Sequence, residues 1–252
     1  MKRYNLSFAL YFASLALVRA QLPSAASQEP PPQVTETTPK AWQTGVSSTQ
    51  KEISVSFDQA MSPAYTAWIG RSSVVQEVDS DSSISPDRRT FTTKAALQPG
   101  KVYVFSLNEK RIAGVGFQNT KGVSAPPFYL VFQTVGAPAP DDAPPRALST
   151  IPAGNAQQID PAKLKSVVIN FDRPMQTAKH GLVMTENKSP VDLSKARFQY
   201  SPDGKSFTLA YDFKPSTTYE FELNNTQNIG FASAKRIPLW PVRFAFSTGQ
   251  PQ

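Results

Sequence analysis

The chain has 252 residues, 40% of them hydrophobic and 18% charged, with a formal net charge of +7, one histidine and no cysteine. That length allows one large domain or two small ones, with enough apolar content for a buried core in each. The lack of cysteine excludes disulfide frameworks, thiol catalysis, thiolate metal sites and lipid attachment through a Cys, and a single histidine excludes multi-histidine metal sites.

Residues 1–20 open on Lys2 and Arg3, run apolar from Leu6 to Val18 and end on small side chains. This is the pattern of a cleaved signal peptide, and the apolar run is shorter than the roughly 20 residues that span a bilayer. Cleavage is expected after Ala20, with Ala26 as second choice, giving a secreted, periplasmic or cell-surface protein with no transmembrane segment. The net charge falls to +4 when Lys2, Arg3 and Arg19 leave. The remaining charges are isolated pairs such as Arg88-Arg89 and Lys235-Arg236, not a stripe suited to phosphates, so no nucleic-acid partner is expected.

Residues 21–33, with three consecutive prolines, read as an extended leader. A first domain follows over residues 34–136. Its Ile53, Val55 and Phe57 alternate with Glu52, Ser54 and Ser56, as in a half-buried strand, and Tyr103, Phe105 and Leu107 repeat the pattern. Residues 137–144 lie in a stretch of four prolines in ten residues and read as a stiff linker that holds its neighbours apart end to end. Residues 145–250 form a second domain. There Ser201-Pro202-Asp203-Gly204 has the composition of a tight turn and is expected to close a hairpin between residues 196–200 and 206–211.

The two domains match at a shift of about 114 residues. Phe57-Asp58-Gln59-Ala60-Met61 answers Phe171-Asp172-Arg173-Pro174-Met175, and Ser85-Pro86-Asp87-Arg88 answers Ser201-Pro202-Asp203-Gly204. Tyr103 through Asn108 answers Tyr219 through Asn224, Gly116-Phe117 answers Gly230-Phe231, and Phe132-Gln133-Thr134 answers Phe246-Ser247-Thr248. A period this long means that each copy owns a core and folds alone. Seven or so short strands per copy, separated by turn signals and without a long amphipathic helix, predict antiparallel Greek-key sandwiches.

The sequence Phe171-Asp172-Arg173-Pro174-Met175, then Ser201-Pro202-Asp203-Gly204, then Pro215 to Tyr219 and the closing Phe246-Ser247-Thr248, resembles the SbsA-type bacterial Ig-like domain, and the first domain carries the same marks more loosely. The resemblance implies an all-β chain of two tandem immunoglobulin-like antiparallel β-sandwiches behind the signal peptide. It also implies a spacer, stalk or binding module of an exported bacterial protein. Met61 and Met175 are expected to plug sandwich ends. Tyr103 and Tyr219 suit a buried corner whose hydroxyl meets the backbone.

Chemistry-bearing residues are sparse. His180 lies in a polar stretch expected to be a loop, as an exposed group with no partner. Asp79 with Asp81, and Glu220 with Glu222, are spaced by two, which on a strand gives a wet face and not a catalytic cleft. Asp141 and Asp142 at the domain junction are candidate calcium ligands, although calcium wants six to eight oxygens. Trp68 is the preferred ligand-binding aromatic, through stacking on a sugar or peptide, with Trp42 and Trp240 as others. The expectation is a non-catalytic spacer, adhesion or cell-envelope interaction module, whose partner is an envelope component or another exported protein. The alternative is an accessory or carbohydrate-binding partner of a secreted hydrolase.

Overall fold

The computed structural model describes residues 29–63, 68–70, 83–108 and 116–250. The signal segment, both candidate cleavage sites, Asp79 and Asp81 lie outside the described residues. Contacts divide the chain at Pro30: Met1–Pro30, of which Glu29 and Pro30 are described, and Pro31–Gln252, which forms one compact unit.

The first domain builds β1 (Val34–Thr38), β2 (Gln43–Val46), β3 (Glu52–Phe57), β4 (Ile69–Gly70), β5 (Ser83–Ile84), β6 (Thr90–Lys94), β7 (Val102–Leu107) and β8 (Phe128–Thr134). They form two four-stranded sheets, β1-β3-β6-β5 and β2-β8-β7-β4. All pairings are antiparallel except that of β2 with β8. The second domain repeats the plan with β9 (Ala147–Ile151), β10 (Ser166–Phe171), β11 (Leu182–Glu186), β12 (Ser189–Pro190), β13 (Arg197–Tyr200), β14 (Ser206–Ala210), β15 (Thr218–Leu223) and β16 (Val242–Ser247). Its sheets run β13-β14-β10-β9 and β12-β11-β15-β16. The parallel edge pairing shrinks there to one bridge, Ile159 with Thr248.

The alternating apolar positions face inward. Ile53, Val55 and Phe57 are buried in the first core, as are Val167, Ile169 and Phe171 in the second. Each core closes on rings: Phe91 and Phe117 meet edge-on at 5.1 Å in one, and Phe207 and Phe231 at 5.0 Å in the other. The predicted hairpin joins β13 to β14.

The repeated residues are the joints of the sandwich. Tyr103 and Tyr219 are fully buried, and each hydroxyl accepts a backbone N–H five residues upstream, from Gln98 at 2.7 Å and Lys214 at 2.6 Å. The hydroxyls of Thr134 and Thr248 donate to the carbonyls of those same residues, at 2.7 and 2.6 Å. Asn108 and Asn224 leave their strands with positive φ, where a short amide is tolerated. Their side chains clamp the next loop through the carbonyls of Phe117 and Ala125, or of Phe231 and Leu239, each at 2.8 Å. Met61 and Met175 are buried, as expected of plugs.

The Ser-Pro-Asp turns are also alike, although the first lacks glycine. Asp87 accepts from the Ser85 hydroxyl and the Arg89 N–H, as Asp203 accepts from Ser201 and Lys205. Arg88 therefore stands at φ +58° where the second copy has Gly204 at +68°. The peptide bond after each first strand, Thr38-Pro39 and Ile151-Pro152, is cis in both copies.

The linker departs from expectation. It does not hold the domains apart. Pro140–Asp142 winds into a single 3-10 turn, and the guanidinium of Arg173 in the second domain donates to the Pro140 and Ala143 carbonyls at 2.8 and 3.0 Å. Prolines remove backbone donors but leave carbonyls free to accept. One guanidinium nitrogen, Nη1, can therefore hold two carbonyls of such a segment against the second domain.

Candidate functional site

The densest constellation outside the two cores is the joint between the domains. On β7 the side chains that point away from the core are Val102, Val104 and Ser106, and on β8 Val131 stands beside Val104; all four are buried. The valines are covered by the segment that follows β15. Its Ile237 joins their cluster, with Ile229, Trp240, Trp42 and Tyr129 packed around it. The Trp240 ring meets Trp42 edge-on at 5.7 Å, and its indole N–H donates to the Trp42 carbonyl at 3.0 Å. The Tyr129 N–H donates to the Thr226 carbonyl at 2.7 Å. A burial pattern with every residue of β7 inside follows, because this strand has a core on one side and a domain on the other.

Charges flank this apolar centre. Lys101 Nζ lies 3.1 Å from Asp142 Oδ2, and Lys235 Nζ lies 3.3 Å from Asp141 Oδ2 and 3.7 Å from Asp142 Oδ1. The hydrogen bond from Lys101 holds the Asp142 carboxyl below the usual carboxylate range. These pairs are partly or largely exposed and contribute orientation more than stability. Burial raises the Asp172 pKa, but hydrogen bonds from the Arg173 side chain and the Arg146 N–H outweigh it and leave the group lowered. Asp172 is thus a fixed anion that orients the Arg173 fork.

The candidate site residues fall in different places. Asp141 and Asp142 face two ammonium groups, which a calcium ion there would have to displace. Among the described residues, no group of three or more His, Asp or Glu side chains is placed to hold a metal ion. Trp68 packs edge-on against Phe105 at 6.5 Å and Phe117 at 5.9 Å, half-buried between the two halves of the first core. The register explains this: Ile69 pairs with Ser106 as Val183 pairs with Glu222, so Trp68 takes the place that the buried Leu182 has in the second domain. Glu222 is paired with Arg243, and Glu220 accepts from the Thr185 hydroxyl at 3.0 Å.

His180 is not the exposed, partnerless group expected. Its ring lies 4.2 Å from Phe198 and 5.2 Å from Phe207, and burial lowers its pKa. The loop enters the aromatic cluster because Gly230 lets the backbones touch: a Cβ there would overlap the His180 carbonyl. Trp42 and Trp240 do come together, across the joint and not as separate ligand platforms. Single-domain reasoning missed Val102, Val104, Val131 and Ile237. Their signal was present in part, since the first domain has Val102 and Val104 where the second has Thr218 and Glu220.

Among the described residues, no helix is long and apolar enough to cross a membrane. No curated protein matches the chain. Among solved structures, CopC from Methylosinus trichosporium OB3b is similar over 43% of this chain and 96% of its own, at 12% identity and a TM-score of 0.32. The S-layer protein rSbsC(31-844) is similar over 86% of this chain, which spans 26% of that one, at 11% identity and a TM-score of 0.31. The titin Ig tandem A164-A165 is similar over 87% of this chain and 97% of its own, at 10% identity and a TM-score of 0.26. Scores this low leave the assignment to the sequence profile of the bacterial Ig-like domain, which matches residues 28–134 and again 141–248. With two tandem copies of that profile laid over two sandwiches of one plan, the chain belongs to the bacterial Ig-like domain family.

Proposed function

We propose that this protein is an exported, non-catalytic module that acts at the cell envelope as a spacer, adhesion or interaction element. The observation that carries the reading is the joint. A loop-on-sheet contact with a tryptophan pair at its centre fixes two Ig-like domains relative to each other, so that surfaces on both are presented together. Presentation of that kind needs no moving part and no reactive group. The signal-like residues 1–20 and the family membership support export and a bacterial surface setting.

Cosedimentation of the purified protein with envelope fractions of its source tests the proposal. Binding is expected, and it is expected to weaken when the joint is opened by Trp240→Ala. No binding to any fraction, or binding indifferent to the joint, would set the reading aside.

A further inference from the structure

The chain of the first domain crosses from one sheet to the other between β1 and β2. β2 and the Trp42 N–H reach β8 only from Val131 onward, so the sandwich stays open between the edge of β1 and the start of β8. A cleft of about 490 Å³ occupies this opening, a volume in the range of ligand sites. Val34, Glu36 and Thr37 line it from β1, Lys40 and Ala41 from the crossing, and Phe128 from β8. The cleft adjoins the joint, because Ala41 and Phe128 are followed by Trp42 and Tyr129.

Hydrogen bonds along β3 show how β1 is turned. The Phe57 N–H donates to Arg89 on one side of the strand and the Asp58 N–H to Gln33 on the other, and an antiparallel ladder continues this alternation. Ser54 and Ser56 therefore bond β1 through their partners Thr38 and Glu36. Thr37 stands between them, opposite Val55, with its N–H and carbonyl turned away from the sheet. Thr37 is only 6% exposed, yet its hydroxyl has no hydrogen-bond partner among the described residues. Polar groups so far from bulk water are normally paired, and the natural complement of an outward N–H and C=O on a strand edge is another strand.

Charge narrows the occupant. Glu36 and Lys40 have no ion-pair partner among the described residues. When Pro39 is aligned with Pro152, the second domain has Ser149 and Ala153 at these two positions, and it has Val242 for Phe128. The same sandwich thus forms without the carboxylate, the ammonium or the ring, and the first copy alone carries all three at its cleft. We infer that this cleft binds an extended segment of another protein, added as a strand to β1 at Thr37. Its apolar side chain packs on Phe128, a basic one meets Glu36 and an acidic one meets Lys40.

Synthetic peptides test this. The probes are capped peptides of about eight residues, long enough to span β1, with alternating threonine and valine and one lysine and one aspartate. The two charges are placed in both orders, so that parallel and antiparallel addition are each allowed. In titrations of the purified protein up to about 1 mM peptide, one order is expected to bind and to slow hydrogen exchange at the Thr37 amide. N-methylation of the peptide amides that face β1 is expected to weaken binding about tenfold or more, with the protein itself unaltered. Lys40→Glu, at an exposed position, is expected to weaken binding about tenfold and to be rescued by a peptide with lysine in place of aspartate. No envelope fraction enters this experiment, so it and the cosedimentation test fail independently. Binding of neither order, or binding that leaves the Thr37 amide unprotected and ignores both N-methylation and Lys40→Glu, would overturn the inference. So would protection of that amide by rising protein concentration without peptide, which would mean that a second copy fills the cleft.

Discussion

The strands β7 and β15 occupy the same place in the two domains and face opposite fates. Both bury Tyr, Phe and Leu on the core side. On the other side β7 presents Val102 and Val104, which the second domain covers, and a buried Ser106, whereas β15 presents Thr218, Glu220 and Glu222 to solvent and to Arg243. The fold is indifferent to these outward residues; the assembly is not. Two valines in place of a threonine and a glutamate decide which sheet receives the other domain and which stays exposed.

The largest test of this contrast places the second domain's residue on the first. Val104→Glu puts an unpaired carboxylate against Ile237 and is expected to cost about 3 kcal/mol or more at the joint. Small-angle scattering should then show the domains parting, and calorimetry two transitions in place of one. The reverse change, Glu220→Val, alters an exposed position and is expected to shift stability by no more than about 0.5 kcal/mol. Equal effects of the two substitutions would erase the comparison.

Trp240→Ala removes an edge-on ring contact and a hydrogen bond from the same joint and is expected to cost about 2–3 kcal/mol. In a Trp68→Phe background, where Trp42 is the one tryptophan left, its fluorescence reports this: a red shift means the ring has become wet, and an unchanged spectrum would mean that the contact does not hold the joint.

His180 offers a pH test of the second domain alone, because the chain has no other histidine. Burial lowers its folded-state pKa below the ordinary 6.5, so the unfolded chain binds a proton more readily. The stability that neutral His180 supports is present above that value and is lost as the pH falls through the folded pKa. The lowered carboxylates, Asp172 among them, act with the same sign but at more acidic pH. Melting of the wild type should therefore fall between neutral and mildly acidic pH, and His180→Gln should flatten the curve there. A variant curve parallel to the wild type would refute the aromatic setting of this ring.

The smallest effect expected is at the turn. Arg88→Gly gives the first domain the residue that the second already has at positive φ and is expected to stabilise it by about 0.5–1 kcal/mol. Gly204→Ala should act oppositely, since a Cβ there comes within 3.2 Å of the Met175 carbonyl oxygen. If both changes are neutral, the turn is not under strain.

Much of this was legible in advance. Alternation at Ile53, Val55 and Phe57, the turn residues, and the answering pairs Tyr103 and Tyr219 or Asn108 and Asn224 are local signals, and each forms the element or joint it predicts. The features that the sequence leaves open share a cause. The chemistry of Trp68 suits a ligand, but the register of the following strand puts it in the core position of Leu182. His180 has polar neighbours in sequence, while Phe198, Phe207 and Gly230, which surround it, come from elsewhere in the chain. The prolines of residues 137–144 predict stiffness, yet carbonyls on that segment meet an arginine some thirty residues on.

The sequence by itself determined two homologous β-sandwiches, because side-chain period, turn chemistry and an internal repeat act over a few residues and are written twice. The tertiary structure decided that the sandwiches lock together and where. That contact matches the outward face of Val102, Val104 and Val131 with Ile237 and Trp240, more than a hundred residues away in the chain. Burial of this kind depends on which surfaces meet, and no period along a strand encodes its partner.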